Sequence, residues 1–261
     1  MFDVLQRFAL DDVVIIDQNE RLMQVYRVIQ SAVDDLIAAL MALQTHFWLL
    51  GDKDRRTFYY GVRTAFNCRH GTAVDQAADF IFLNRTCYNG LYRVNRRDEF
   101  NVPMGRYARP LICDVENLRR VSTALQRVTI VTGSYRQAAG YAAPDTFVYF
   151  DPPYRPLSNT ASFTAYSAQA FSDVDQRALA EFVRWLDEKG THVMLSNSDP
   201  HNIDPHDDFF DDFYQGFHLT RLPARRAINS RSDRRGAVSE LVVTNYRPAV
   251  EIRTCPTPRV S

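Results

Sequence analysis

The sequence predicts an α/β fold: a doubly wound sheet interrupted by an inserted segment of helices and a hairpin. Three observations predict it. Short apolar runs end in acidic or small polar residues, as buried parallel strands do at the mouth of an open sheet. Amphipathic helical spacing follows or separates those runs. The stretch from Gly51 to Arg120 breaks the alternation with a mixture of Arg, Tyr, Asn and Gly.

Val13-Val14-Ile15-Ile16 reads as the first strand, with Asp17 at its carboxyl end. From Glu20 onward Leu22, Val25, Tyr26, Ile29, Val33, Leu36, Ile37 and Leu40 fall at threes and fours, which predicts one amphipathic helix. In the irregular stretch, Asn89-Gly90 and Met104-Gly105 are turn signals, and Phe100 to Tyr107 alternates like a hairpin arm. Regular α/β sequence then resumes. Val128 to Val131 is a strand followed by Gly133-Ser134-Tyr135, and Phe147 to Phe150 is a strand that delivers Asp151. Ser172 caps a helix with Asp173 and Asp175 in its first turn. That helix runs over Ala178, Leu179, Phe182 and Leu186 and stops at Gly190. His192 to Leu195 is a strand closed by Ser196-Asn197-Ser198, and Glu240 to Tyr246 is the last strand. Pro200 to Asp212 reads as an acidic solvated loop or helix edge. The predicted organisation is a discontinuous domain of residues 1–50 and 121–250, an inserted domain of residues 51–120, and a tail of residues 251–261.

The 261 residues suit one large domain or one domain with an insert, and 46% hydrophobic residues supply an ample core. Net charge is zero, so any nucleic-acid binding must rest on local clusters. The basic residues are Arg except Lys53 and Lys189; Arg suits phosphates and guanine, but because the bias extends over the whole chain a GC-rich genome explains it better. Cys68, Cys87, Cys113 and Cys255 are scattered without a C-x-x-C pair, which suggests neither a zinc site nor a disulfide framework. No long apolar run and no signal peptide are present, so the expected location is the cytoplasm, with reduced thiols and no membrane contact.

The chemistry centres on Tyr149-Phe150-Asp151-Pro152-Pro153-Tyr154. A carboxylate, two prolines and an aromatic at a strand end form a rigid polar notch with a flat wall. Adenine N6 is a poor nucleophile because its lone pair is delocalised into the ring. The Asp151 carboxylate accepting one N6 hydrogen, and a proline-fixed carbonyl accepting the other, draw that nitrogen towards a nucleophilic geometry. Tyr154 can stack on the base face, and a base must leave its duplex stack to arrive there. The competing reading is a structural Pro-Pro turn. Asp17 is a candidate to accept hydrogen bonds from ribose hydroxyls, the alternative being that it caps the following helix; Ser134 and Tyr135 are candidates to border a cofactor adenine.

In the irregular stretch, Arg93 and Arg106 can grip guanine O6 and N7 or hold phosphates. Tyr88 can wedge into a base stack, and Asn89 can hydrogen-bond an unpaired base. The alternative is an Arg-rich solvated face with core aromatics. A second cluster, Arg221, Arg225, Arg226, Arg231, Arg234 and Arg235, reads as a flexible basic loop that tracks a phosphate backbone, or simply as a charged loop.

The runs Asn84-Arg85-Thr86-Cys87-Tyr88-Asn89-Gly90-Leu91-Tyr92-Arg93-Val94-Asn95, Glu99 to Tyr107 and Asp151 to Ser158 together resemble the Dam-type DNA adenine-N6 methyltransferases, which include GATC-specific modification enzymes of restriction systems. Ser162-Phe163-Thr164-Ala165-Tyr166, Leu195 to Ser198 and Ser239 to Tyr246 extend the resemblance over nearly the whole chain. It implies a Rossmann-like methyltransferase sheet with an inserted target-recognition domain. It implies S-adenosyl-L-methionine (AdoMet) as donor, double-stranded DNA as partner, and no metal. Asp151, Pro152, Pro153 and Tyr154 are the implied catalytic residues, and Asp17, Ser134, Tyr135 and Asp151 the cofactor contacts. Tyr88 is implied to intercalate, Asn89 to fill in near the flipped adenine, and Leu91, Arg93 and Pro103 to read the GATC bases. Arg85, Arg106 and Tyr107 complete the DNA-facing set.

One departure carries an expectation of its own. The family opens with a Lys-x-x-Gly-Gly-Lys-like segment and a strand ending in Phe-x-Gly-x-Gly, whereas Met1 to Leu5 resembles the helix that follows them. The sheet is therefore expected to be incomplete at the N-terminus. An upstream extension, a separate polypeptide supplying the strand, or a catalytically inactive GATC-binding remnant would each account for this. An RNA or protein-glutamine N5-methyltransferase is a weaker rival, because neither explains the Asn84–Tyr107 segment.

Overall fold

A computed structural model describes residues 2–8, 10–156, 171–224 and 238–247. The architecture is mixed α/β and falls into two compact units, one ending at Tyr135 and one starting at Arg136.

The first unit comprises α1 (Phe2–Arg7), β1 (Val13–Asp17), α2 (Glu20–Ser31), α3 (Val33–Leu49), α4 (Asp52–Asn67), α5 (Ala73–Thr86), α6 (Val115–Leu125) and β2 (Val128–Thr132). β1 and β2 form a parallel pair in register from Val13 opposite Val128 to Asp17 opposite Thr132. One apolar cluster joins α2 and α3 to α4, α5 and α6, with Leu36, Leu40, Tyr59, Phe82 and Leu125 fully buried. Each such side chain contributes about 1.5–3 kcal/mol on burial. The irregular stretch from Gly51 onward therefore shares its core with the helices that precede it.

The single helix expected from Glu20 to Leu40 is two helices whose axes differ by 113°. Ala32 leaves the helical region (φ −145°, ψ 43°), its N–H closes α2 on Val28, and Asp34 and Asp35 occupy the first turn of α3. Acidic side chains favour a fresh helix N-terminus. Both helices bury an apolar face, so the spacing runs on through the break.

The hairpin also differs from expectation. Val94 bridges Phe100, and Asn95 to Glu99 makes the turn, closed by the Asn95 N–H on the Glu99 carbonyl (2.9 Å). Asp98 takes a positive φ of 60° there, a conformation that Asp tolerates better than most residues. Met104 is not at a turn. It bridges Cys87.

The second unit comprises β3 (Phe147–Phe150), α7 (Asp173–Glu188), β4 (His192–Ser198), α8 (Phe209–Phe213), β5 (His218–Ala224) and β6 (Val238–Thr244). Their order is β3-β4-β6-β5, with β3 parallel to β4 and β6 antiparallel to both neighbours. Among the described residues the strands form two sheets, one of two strands and one of four. The Ser172 cap, with Asp175 completing a capping box, and the left-handed Gly190 (φ 78°) bound α7 as predicted.

Arg221 corrects the reading of the second basic cluster. It lies in β5, not in a loop, and its guanidinium pairs with Asp199 (3.2 Å) and Asp211 (2.6 Å). Arg225, Arg226, Arg231, Arg234 and Arg235 lie outside the described residues. The acidic stretch from Pro200 is likewise more than a solvated loop: Phe210 in α8 is buried, and Asp199 just before the stretch is buried as well. Burial pushes the Asp199 carboxyl up. The Ser239 hydroxyl, the His201 N–H and Arg221 outweigh it and hold the group below the usual carboxylate range. A depressed folded-state pKa stabilises the fold above the unfolded value and loses that contribution as pH falls through the folded one. Asp199→Asn is expected to lower the melting temperature at pH 7 and to have a smaller effect near pH 3. Thermal unfolding of both proteins across that range checks it.

Candidate active site and nucleic-acid interface

In the first unit, two backbone segments run side by side. The Tyr88 N–H donates to the Pro103 carbonyl (2.8 Å), the Gly105 N–H to the Thr86 carbonyl (2.8 Å), and the Asn101 N–H to the Arg93 carbonyl (3.1 Å). Thr86, Cys87, Val94, Phe100, Val102 and Gly105 face inward and are buried. Arg85, Tyr88, Asn89, Arg93, Pro103, Arg106 and Tyr107 face outward and are exposed, with Leu91 half-buried among them. The two segments therefore gather every predicted DNA-facing residue on one scaffold.

Three local features hold it. Asn89 (φ 54°) and Gly90 (φ 62°) are both left-handed, making a tight turn that presents Tyr88 at 54% exposure. The other half of the Tyr88 side chain is covered by the protein. The buried Cys87 thiol donates to the Leu91 carbonyl (3.2 Å), and burial pushes its pKa up to about 11. It is thus a protonated structural group, not a nucleophile. Arg93 Nε donates to Asn101 Oδ1 (2.8 Å), which aims the guanidinium. Among the described residues, Arg85 and Arg106 have no ion-pair partner.

At the carboxyl ends of β1 and β2, Asp17 and the Gly133-Ser134-Tyr135 segment come together, the Gly133 N–H donating to the Asp17 carbonyl (2.9 Å). Asn19 is the N-cap of α2, its side chain accepting from the Leu22 N–H (3.1 Å). The Asp17 carboxylate accepts from the Asn19 N–H (2.6 Å) and remains exposed. Asp17 thus supports the cap and also presents a carboxylate at a strand end. An exposed acid beside a small polar residue and an aromatic fits the ribose and base end of a nucleoside cofactor.

In the second unit, Asp151 lies directly after β3 and is exposed. Ser196, buried on the neighbouring strand β4, donates to Asp151 Oδ1 (3.1 Å) and shares a hydrogen bond with the Tyr149 hydroxyl (2.9 Å). The second Asp151 oxygen and the Pro152 carbonyl have no donor among the described residues. The Pro153 carbonyl is taken by Gln176 (3.0 Å), and the Arg155 carbonyl by Ser198 (2.7 Å). Burial pushes the Tyr154 phenol up against the lowering effect of Ser196, so it is neutral at physiological pH. Arg155 bonds Asp173 (3.0 Å) and Asp207 (2.6 Å) and lies over the Phe209 ring at 4.2 Å, anchoring the far end of the loop.

The sequence reading missed the supporting residues. Ser196, Asn197 and Gln176 were given no role, although a polar triplet closing the strand parallel to β3 was a usable signal. Ser158 and Ser162 to Tyr166, which carried part of the resemblance, lie outside the described residues. His201, Asp208 and Asp211 bring ligand atoms within 4.8 Å of one another, but Asp211 is already bound to Arg221. No single helix among the described residues is long and apolar enough to cross a membrane.

The exposed acceptor loop and the outward aromatic-basic face suit an enzyme that acts on a nucleic-acid base. Residues 1–228 match the D12 class of N6 adenine-specific DNA methyltransferases, and the chain belongs to that family. It is 45% identical over 249 residues to the type II methyltransferase M.MjaIII of Methanocaldococcus jannaschii, covering 94% of this chain and 84% of that protein. It is 35% identical over 240 residues to the type II methyltransferase M1.LlaDCHI of Lactococcus lactis subsp. cremoris (89% and 79%). It is 34% identical over 238 residues to the DNA adenine methylase of Escherichia coli strain K12 (91% and 80%).

Gly105 tests the paired-segment scaffold. A Cβ at this position would lie 2.8 Å from the Cys87 carbonyl oxygen and 2.4 Å from the Tyr107 ring. The backbone contact cannot relax without parting the two segments. Gly105→Ala is expected to destabilise the protein by about 1–3 kcal/mol and to weaken duplex binding at temperatures where the variant is still folded. Thermal melts and fluorescence anisotropy with labelled duplex measure the two effects.

Proposed function

We propose that this enzyme transfers a methyl group from AdoMet to adenine N6 within GATC in double-stranded DNA, on a base rotated out of the helix. The observation that carries the reading is the pair of unclaimed acceptors at Asp151 and Pro152, on a loop whose Pro153 and Arg155 carbonyls are already bonded. An amino group has two hydrogens and needs two acceptors. Asp151 accepts one and the Pro152 carbonyl the other, so nitrogen lone-pair density is freed from the ring. Pro153 stiffens the turn, and Tyr154 stacks on the base. Bound AdoMet supplies the methyl group. The nitrogen would attack the methyl carbon as its bond to sulfur breaks, leaving S-adenosyl-L-homocysteine and releasing one N6 proton, so neither a cysteine adduct nor a metal is invoked.

Asp17 would accept from the AdoMet ribose hydroxyls, with Ser134 and Tyr135 bordering its adenine and Asp151 facing its reactive end. Tyr88 would fill the stack the base has left, with Asn89 beside it, while Leu91, Arg93 and Pro103 read base edges. Arg85, Arg106 and Tyr107 would hold bases and backbone. In this reading residues 51–120 are the recognition domain and residues 1–50 and 121–250 a Rossmann-like catalytic domain, working on DNA in the cytoplasm.

The test is expression in cells that lack adenine methylation, followed by digestion of their DNA with nucleases differing in sensitivity to methylated GATC. Protection by the wild type, and none by Asp151→Ala, is expected. With purified protein the substitution should lower the methylation rate by at least about a hundredfold. Fully cleavable DNA from cells holding folded wild-type protein would overturn the reading.

A further inference from the structure

Two carboxamides in the second unit are buried where apolar residues would pack at less cost. Gln176 on α7 is 2% exposed and Asn197 on β4 is 0% exposed. Burying an amide is unfavourable unless its donors and acceptors are met. Here they are met by each other and by the acceptor loop. Asn197 Nδ2 donates to Gln176 Oε1 (3.1 Å), and Gln176 Nε2 donates to the Pro153 carbonyl (3.0 Å). Asn197 Oδ1 accepts from the backbone N–H of Arg155 (3.0 Å) and of Ser198 (2.9 Å). The chain of donors and acceptors is consistent in only one sense. Reversing either amide would set oxygen against oxygen or nitrogen against nitrogen.

We infer that Gln176 and Asn197 are positioning residues for the methyl acceptor. They act through the backbone of residues 153–155, upon which the placement of Asp151 and the Pro152 carbonyl depends. Pro152 and Pro153 have no N–H, so the turn cannot tie itself down by ordinary backbone bonds. The side-chain clamp replaces those bonds and selects which carbonyl turns inward: Pro153 is held, and Pro152 is left for the substrate. A leucine in place of Gln176 could fill the space but could not make that choice. Ser196 completes the arrangement by holding one Asp151 oxygen. The inference rests on the proposed roles of Asp151 and Pro152.

Gln176→Met and Gln176→Leu test it, because both keep most of the side-chain volume while removing the donor to the Pro153 carbonyl. Steady-state methylation of a GATC duplex, with AdoMet saturating, separates kcat from the KM for DNA. Thermal unfolding reports the folded fraction. If the clamp positions the acceptor, kcat per folded molecule should fall by roughly ten- to a hundredfold, the loss expected from a displacement near 1 Å, while the KM for DNA stays within about threefold. A wild-type kcat in either folded variant overturns the inference, because a purely structural residue would change only the folded fraction. Should Gln176→Leu fail to fold, Gln176→Met decides alone, and the reverse holds. Wild-type protein that does not methylate GATC at all would overturn the proposed function instead.

Discussion

The loop from Asp151 to Arg155 cannot hold its own shape, and the arrangement of the second unit follows from that constraint. Two consecutive prolines fix φ but remove two donors, so the loop has more acceptors than it can satisfy. The side chains that answer come from α7 and β4, elements otherwise occupied with burying Leu179, Val183, Leu186, Val193 and Leu195. Parallel pairing of β3 with β4, in register from Phe147 opposite His192 to Phe150 opposite Leu195, sets Ser196 and Asn197 beside the loop as it leaves β3. The same register that builds the core therefore places the polar groups. Sheet and site are specified together.

Charge separates the arginines that hold the fold from those left for a partner. Arg155 and Arg221 each bridge two carboxylates and are partly buried. Such pairs must offset desolvation before they stabilise anything; Arg155 ties its loop to α7, and Arg221 ties α8 to β5. Arg85 and Arg106 have no such partner among the described residues and stand in solvent. With zero net charge, affinity for DNA phosphates has to come from arginines of this second kind. Counting basic residues along the sequence could not separate the two kinds.

This limit recurs wherever the sequence reading went astray. β1, β2, β3, β4 and α7 were legible because apolar runs and capping residues are local signals. Asp151 stands out in the sequence because a carboxylate and two prolines close an apolar run, although β3 itself leaves Phe147 and Tyr149 exposed. β5 was not: His218, Thr220, Arg221 and Pro223 make a poor strand by composition, and only pairing with β6 along an edge, where proline is tolerated, gives it that form. The break at Ala32 was invisible because both helices bury a face in the same cluster. Gln176 read as one more polar position on a helix surface, and its burial depends on Pro153 and Asn197, which lie far away in sequence.

The Arg85–Tyr107 face is ordered by the protein itself, so the recognition role we propose for it would need no prior rearrangement. Its outward side chains alternate with buried ones along two hydrogen-bonded segments, so the backbone entropy of ordering them is already met by the core. Cys87 is central to this economy. Its thiol closes the turn from inside by bonding the Leu91 carbonyl, its own carbonyl leaves no room for a side chain at Gly105, and Met104 bridges it from the second segment. A larger side chain at either Cys87 or Gly105 would separate the segments. An alanine at Cys87 would leave the Leu91 carbonyl without its donor. The residue types buried beneath the face are thus constrained as tightly as those exposed on it, and for the methyltransferase role we propose, the first set is what keeps Tyr88 and Arg93 at a fixed separation.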